Sequence, residues 1–409
     1  MAVAQTQNVS TKHYLTVVAA MLSMIGPFSI DAYLPSFPAI EASFGISRAL
    51  LSQSMSVYLI AFAISTLVWG PISDRFGRRT VILSGLFIYI TASIGCAYAN
   101  NLNSFLIFRI FQGLAASGGF IASRAMIRDA HNTENAHRAM SQVMMLFAIA
   151  PAIAPILGAW LQDIYGWRSV FWFLTVFGAL LFILTSFIEE TLDKSQQQSI
   201  HPKAVIKTYT KIISHRQFIG LVLSISCSFA GIFLYISGAP SVIYDFMQLS
   251  SSDFSLLFIP IVIGLIVGAF ISGRLAHKIS KESIIIIGFI IMILGVILNI
   301  FQVLLLETSA FNIVAPLVVY VFGISLIIPA ITIMCLDYFP KNRGAAASIQ
   351  SFFQMLTSAI VAGIAVPLLQ ASIQYFVFGQ AGFLLVALLL WYFTKKTIDV
   401  NSQQVSDQP

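Results

Sequence analysis

Gly70-Pro-Ile-Ser-Asp-Arg-Phe-Gly-Arg-Arg79 is a stretch of turn chemistry wedged between two apolar runs, at 52–72 and 80–99. Gly70-Pro71 is expected to end one helix and Gly77 to permit a tight turn. Asp74 is placed to cap or contact a neighbouring helix N-terminus. Arg75, Arg78 and Arg79 would hold the turn in a layer rich in water and anions. A basic hairpin between runs of about 20 apolar residues marks a chain that crosses a bilayer and returns at once.

The rest of the chain extends that pattern. Of its 409 residues 58% are hydrophobic, 13% aromatic and 9% charged, with a mean hydropathy of +0.89. Soluble domains carry about 25% charged residues, so this chain has too few charges to coat two or three of them. A soluble enzyme is excluded. Apolar runs read as helices at 14–38, 52–72, 80–99, 104–126, 138–161, 167–188, 217–240, 254–275, 283–304, 311–335, 345–369 and 373–394. The fold class is all-α, a polytopic membrane protein of twelve spans. The polar segment before the first run has no small-x-small cleavage site after it, so that run reads as an uncleaved span.

With a cytoplasmic N-terminus, 19 of the 22 Lys and Arg fall on the cytoplasmic side; Arg48 and Arg168 fall outside and Arg109 lies within a span. That asymmetry places both termini inside. The polar stretch 189–216, with its run Ser195-Gln-Gln-Gln-Ser199, separates an N-terminal six-helix bundle (1–188) from a C-terminal one (217–396), leaving a polar tail at 397–409. The halves echo each other: Ser272-Gly-Arg-Leu-Ala-His-Lys278 follows span eight as 70–79 follows span two, and Asp337…Arg343 follows span ten as Asp129…Arg138 follows span four. Two repeated bundles with a cavity between them form a recurring transporter architecture. The net charge of +6 lacks any basic run beyond two residues, so nucleic acid is not an expected partner; the lipid bilayer is. Three scattered cysteines and six histidines in polar flanks give no metal-ligand spacing.

Apart from Arg124 and Arg274, which stand at the cytoplasmic ends of their runs, two charges fall well inside the apolar spans. Asp31 is the acid of the first run, where an ionised carboxylate costs at least about 2.5–3.5 kcal/mol. It escapes that cost by protonating, by facing water or by meeting a cation; a position at the outer helix end, in water, is the plainer alternative. Pro35 and Pro38 break the helix nearby. Arg109 is the cation of the fourth span, and Gln112 lies one turn on, on the same face. Because the first and fourth spans run in opposite directions, Asp31 and Arg109 are expected at similar depth. Arg109 serves either as a structural pin through backbone carbonyls or as part of a coupling pair. In the fifth span Pro151 and Pro155 stand one turn apart, and Ala154 with Gly158 forms a small-xxx-small face.

These residues carry a resemblance. The stretch 70–79, Arg109-Ile-Phe-Gln-Gly113 and the Pro/Gly-rich fifth span resemble motifs of the major facilitator superfamily. Ser29-Ile-Asp-Ala-Tyr-Leu-Pro-Ser-Phe-Pro38, Arg128-Asp129 and Gly166-Trp-Arg-Ser-Val-Phe-Trp172 resemble its Bcr/CflA drug-efflux subfamily. The resemblance implies a drug:proton antiporter of a bacterial inner membrane, working by alternating access and functional as a monomer. It needs no cofactor beyond the proton gradient. It assigns proton coupling to Asp31 and Arg109, and a cytoplasmic latch loop to Gly70, Asp74, Arg75, Gly77 and Arg78. Pro151, Ala154, Pro155 and Gly158 match the antiporter-motif helix, with Ala154 where the motif usually has Gly. Ser23 stands where some relatives carry a second acid. Amphipathic antibiotics of the bicyclomycin, sulfonamide or phenicol kinds are the implied substrates.

Phe28 and Met24 lie one and two turns before Asp31; with Tyr58, Gln112, Tyr235 and Gln354 they are the substrate-cavity candidates. The alternative within the same fold is an exporter or importer of an endogenous metabolite. A lipid-modifying membrane enzyme would need an interfacial cluster of His, Asp or Glu that the sequence does not supply.

Overall fold

The computed structural model describes residues 9–131, 133–193, 201–306 and 309–406. Parts of the polar N-terminal segment, of the Gln-rich linker (with Lys194) and of the C-terminal tail therefore lie outside the described residues. Among the described residues there is no strand. Twelve helices are long and apolar enough to cross a membrane: Lys12–Phe44, Arg48–Phe76, Arg78–Tyr98, Leu102–Ala130, Arg138–Tyr165, Arg168–Ser186, Arg216–Ser237, Ser251–Leu275, Lys281–Leu305, Ala310–Asp337, Arg343–Leu369 and Ile373–Thr397. Each expected run coincides with one of them, and no end differs by more than six residues. Their outward faces carry bare apolar side chains, such as Phe87, Val176, Ile290 and Phe311. Water would penalise these and hydrocarbon does not.

By internal contacts the chain divides between His201 and Pro202, with Ser250–Phe258 grouped with the first unit. In that grouping the Ser251 hydroxyl donates to the Asp163 carboxylate, 2.8 Å to each oxygen. The boundary falls within the stretch expected as a linker. The residues just after it form a helix, Pro202–Ile213, packed on the seventh and eleventh spans. The last helix continues to Ser406, through most of the segment read as a tail.

In the first unit the first span is not one helix. Its α-helix runs Val9–Asp31, gives way to a 3-10 turn at Leu34–Ser36 with Pro35 inside it, and resumes over Phe37–Phe44. Proline fixes its own φ and lacks an N–H, so the ladder cannot pass through this point unbroken. The fifth span lies along the first. A Cβ on Gly158 would collide with the carbonyl of Ala32, so the fifth-span backbone touches the break directly. The second span runs to Phe76 with Pro71 inside it. Gly70-Pro71 therefore does not end that helix, contrary to the sequence expectation. A proline near a helix terminus removes one ladder bond close to the aqueous edge, and the neighbouring turns hold.

The second unit pairs its ninth and tenth spans most closely. A Cβ on Gly323 would meet the Gly288 carbonyl, and one on Gly295 the backbone of Tyr320. Close backbone approach through small residues is how helices associate where lipid supplies no hydrophobic drive.

Candidate functional site

Arg109 is fully buried and held from three helices of the first unit. Its Nη1 donates to the Ser29 carbonyl (3.0 Å) and to Gln112 Oε1 (2.6 Å), and Nε to the Ser54 carbonyl (3.4 Å). The guanidinium lies over two rings, Tyr33 at 4.5 Å and Tyr58 at 4.4 Å. Gln112 in turn donates to Ser93 Oγ (2.8 Å), and the Ser29 hydroxyl bonds both the Ile25 carbonyl and Tyr89 Oη, at 2.7 Å each. Arg109 is thus solvated by carbonyls, an amide and π faces, the set available to a charge that cannot be shed.

Asp31 is 3% exposed and stands two residues from the carbonyl that Arg109 holds, at the last residue of the first α-helix. No ion pair joins it to Arg109 among the described residues. Asp31 Oδ1 and Arg109 Nη2 are both buried without a hydrogen-bond partner. The structure brings the two residues into one neighbourhood but leaves an open valence on each. Such an arrangement can accept a proton, a cation or a polar group from a visiting molecule. The alternative placement of Asp31, in water at the outer helix end, does not fit this burial.

The fifth-span residues close over the same spot. Ala154 and Pro155 are buried, Pro151 is half-buried, and Gly158 abuts Ala32, the residue after Asp31. Among the cavity candidates, Gln112 belongs to the Arg109 network, and Tyr58 lies under the guanidinium with its hydroxyl unpartnered. Phe28 packs on Phe173 and Phe177 (5.5 and 5.4 Å between centroids). Met24 is half-buried.

The turn at 70–79 condenses to one residue, Gly77, with φ +96°. A left-handed φ of this kind and a missing Cβ are both required there, because the Glu190 carboxylate fills the space a Cβ would take. Glu190 accepts from the backbone N–H groups of Arg78 (2.8 Å) and Arg79 (3.1 Å), so it caps the third span and meets the positive end of its dipole. Of the two expected roles Asp74 takes the second, contact without capping: it pairs with Arg78 (2.5 Å), the first residue of the third span, which also binds Asp129 (2.9 Å). Arg79 reaches the Ser186 carbonyl (2.8 Å), while Arg75 is exposed and lies over Phe76. Gly70 is half-buried with open space around it.

The second unit holds a polar core that sequence reading missed. Asn299 donates to Tyr235 Oη (2.9 Å) and Gln380 Oε1 (2.8 Å), and Tyr320 donates to the Ser228 carbonyl (2.8 Å). Tyr235 is therefore engaged within this cluster, and Gln354 is half-buried elsewhere on the eleventh span. The signal was present, since Asn299 and Gln380 interrupt apolar runs just as Asp31 does, but without a charge.

Twelve spans in two units, with an incompletely paired acid and a cation buried in one of them, describe a polytopic carrier. The sequence pattern of the Major Facilitator Superfamily matches residues 18–362, and the chain belongs to that family. It is a multi-pass membrane transporter and not an enzyme. It is 30% identical over 354 residues to an uncharacterized MFS-type transporter of Bacillus subtilis, covering 85% of this chain and 87% of that one. It is 24% identical to a bicyclomycin resistance protein homolog of Haemophilus influenzae, over 91% and 94% of the two chains. The xylose transporter of E. coli in a partially occluded inward-open conformation superposes with a TM-score of 0.73 at 17% identity, over 94% of this chain and 98% of that one. That last likeness concerns the fold alone.

Proposed function

We propose that this protein is a drug:proton antiporter of the Bcr/CflA kind. It exports amphipathic drugs across a bacterial inner membrane by alternating access, with both termini cytoplasmic. It works as a monomer without a cofactor, and the proton gradient drives it. The observation that carries this reading is the Asp31 carboxyl, buried at a helix break with one oxygen unpartnered and not paired to Arg109. A fixed cation nearby keeps the neighbourhood polar, and the open carboxyl oxygen is free to exchange a proton for a drug. A cationic drug competes for the charge directly. A neutral drug competes by favouring the conformation in which the proton has left. Bicyclomycin-, sulfonamide- or phenicol-like compounds suit this reading, supported for the first by the bicyclomycin-resistance relative.

The test uses inverted membrane vesicles energised by a pH gradient. Asp31→Asn is expected to abolish gradient-driven drug accumulation while leaving measurable drug binding. Wild-type accumulation by that variant would sink the assignment. A panel of antibiotics, compared between a pump-poor host with and without the protein, identifies the substrate.

A further inference from the structure

The helix Pro202–Ile213 belongs to none of the twelve spans and plays no part in the carrier site. Its sequence, Pro202-Lys-Ala-Val-Ile-Lys-Thr-Tyr-Thr-Lys-Ile-Ile213, sets Lys203, Lys207 and Lys211 four residues apart along one face. Val205, Ile206, Tyr209, Ile212 and Ile213 fall on the opposite side. The apolar side is itself divided. Ile212 is fully buried and Val205 and Tyr209 are half-buried, where the helix packs on the seventh and eleventh spans. Ile206, at 60% exposure, and Ile213, at 43%, are left bare.

The charges are equally one-sided. All three lysines are exposed, and Arg216, exposed at the head of the seventh span, continues the series. No Asp or Glu occurs on this helix, on Arg216–Ser237 or on Arg343–Ile360, the two helices it packs against. The nearest acid in sequence to the latter, Asp337, is engaged by Lys281 and Arg343. The helix ends three residues before the seventh span begins, which keeps it at the membrane surface. A helix held by one edge, with isoleucines bare on the other and lysines beside them, matches an interfacial helix. The isoleucines enter the acyl boundary and the ammonium groups reach phosphate level.

We propose that Pro202–Ile213 is a binding site for acidic phospholipid headgroups of the leaflet on its side of the membrane, with Lys203, Lys207 and Lys211 as the headgroup ligands. On the orientation proposed above, that leaflet is the cytoplasmic one.

The experiment measures the unfolding temperature of the full-length protein in mild detergent as phosphatidylglycerol, phosphatidylcholine or inorganic phosphate is added. Phosphatidylglycerol is expected to raise it well beyond the other two. In K203Q/K207Q/K211Q the phosphatidylglycerol concentration giving half the shift should rise at least about tenfold; K203R/K207R/K211R should keep the wild-type response. An unchanged response in the glutamine variant, or an equal response to phosphatidylcholine or phosphate, overturns the proposal. If the glutamine variant does not fold, a spin label at T210C, in a background without the three native cysteines, decides the matter. Its immersion should be deeper in phosphatidylglycerol vesicles than in phosphatidylcholine ones, and equal immersion rejects the site. Neither readout depends on drug transport, so this proposal and the antiporter reading fail separately.

Discussion

The two units keep the same architecture and differ in where they allow charge. In the first, a guanidinium and a carboxyl are buried in the core, the guanidinium held by carbonyls, an amide and two rings. In the second, the core polar cluster is neutral throughout, built from Asn299, Gln380, Tyr235 and Tyr320. The contrast repeats at the helix ends. Arg78, opening the third span, binds Asp129 at the end of the fourth; Lys281, opening the ninth, binds Asp337 at the end of the tenth. The bond lengths are alike, at 2.9 and 2.8 Å, but the Arg78 side chain is 6% exposed and that of Lys281 45%. At the helix ends the two units place the same contact between corresponding spans, and burial sets its energetic weight.

The severest way to test this contrast is to remove the buried cation. Arg109→Gln leaves the Ser29 and Ser54 carbonyls and Gln112 without their charged donor. We expect a loss of about 3 kcal/mol in unfolding free energy, together with loss of gradient-driven transport; stability near wild type would mean the network is not what holds these helices. The matching change in the neutral core, Asn299→Leu, strands Tyr235 and Gln380 and should cost about 1–3 kcal/mol. It should leave the pH profile of transport unmoved. A displaced profile would show that the second unit also takes part in proton coupling.

At the loops, Arg78→Gln should destabilise by about 1.5–3 kcal/mol, because Asp129, Ser73 and Asp74 lose a largely buried partner. Lys281→Gln should stay within about 1 kcal/mol, as exposed pairs do. Chemical denaturation of the two variants side by side reads the difference, and equal losses would break the comparison.

The smallest effect concerns pH. His215 precedes the seventh span, and its Nδ1 accepts from the Phe218 N–H (3.3 Å), which requires a neutral ring. Desolvation, the larger influence, holds the imidazole below its ordinary value, against the pull of a backbone hydrogen bond. A lowered folded pKa means that this contribution is present above the unfolded value near 6.5 and is lost as pH falls. Below about pH 6.5 stability should drop by less than about 1 kcal/mol. His215→Asn, a cap that does not titrate, should flatten that slope in a melting series; an unflattened slope would place its origin elsewhere.

The span count and the pairing of repeated loops were legible because runs of about 20 apolar residues and clustered cations follow from the bilayer itself. Asp31 and Arg109 were legible for the same reason, since a charge in an apolar run is conspicuous. Glu190 was not: it comes from the end of the sixth span to cap the third, and only the folded chain brings residues 78 and 190 together. Asp74 stands closer in sequence and does contact the start of the third span, but it does so by pairing with the Arg78 side chain across the Gly77 turn, which leaves the capping to Glu190. Pro71 looked like a terminator and sits inside a helix. Asn299 and Gln380 escaped notice because a neutral amide in hydrocarbon costs less than a charge and stands out less against its surroundings.

Gly158 touching the Ala32 carbonyl has a mechanical consequence. Backbones in direct contact, with no side chain between them to deform, cannot slide past each other without separating. The helix end that carries Asp31 and the fifth span, with Pro151 and Pro155 inside it, are therefore geared together. A tilt of that span turns the carboxyl with it, and a push on the carboxyl is felt as torque along a span 28 residues long.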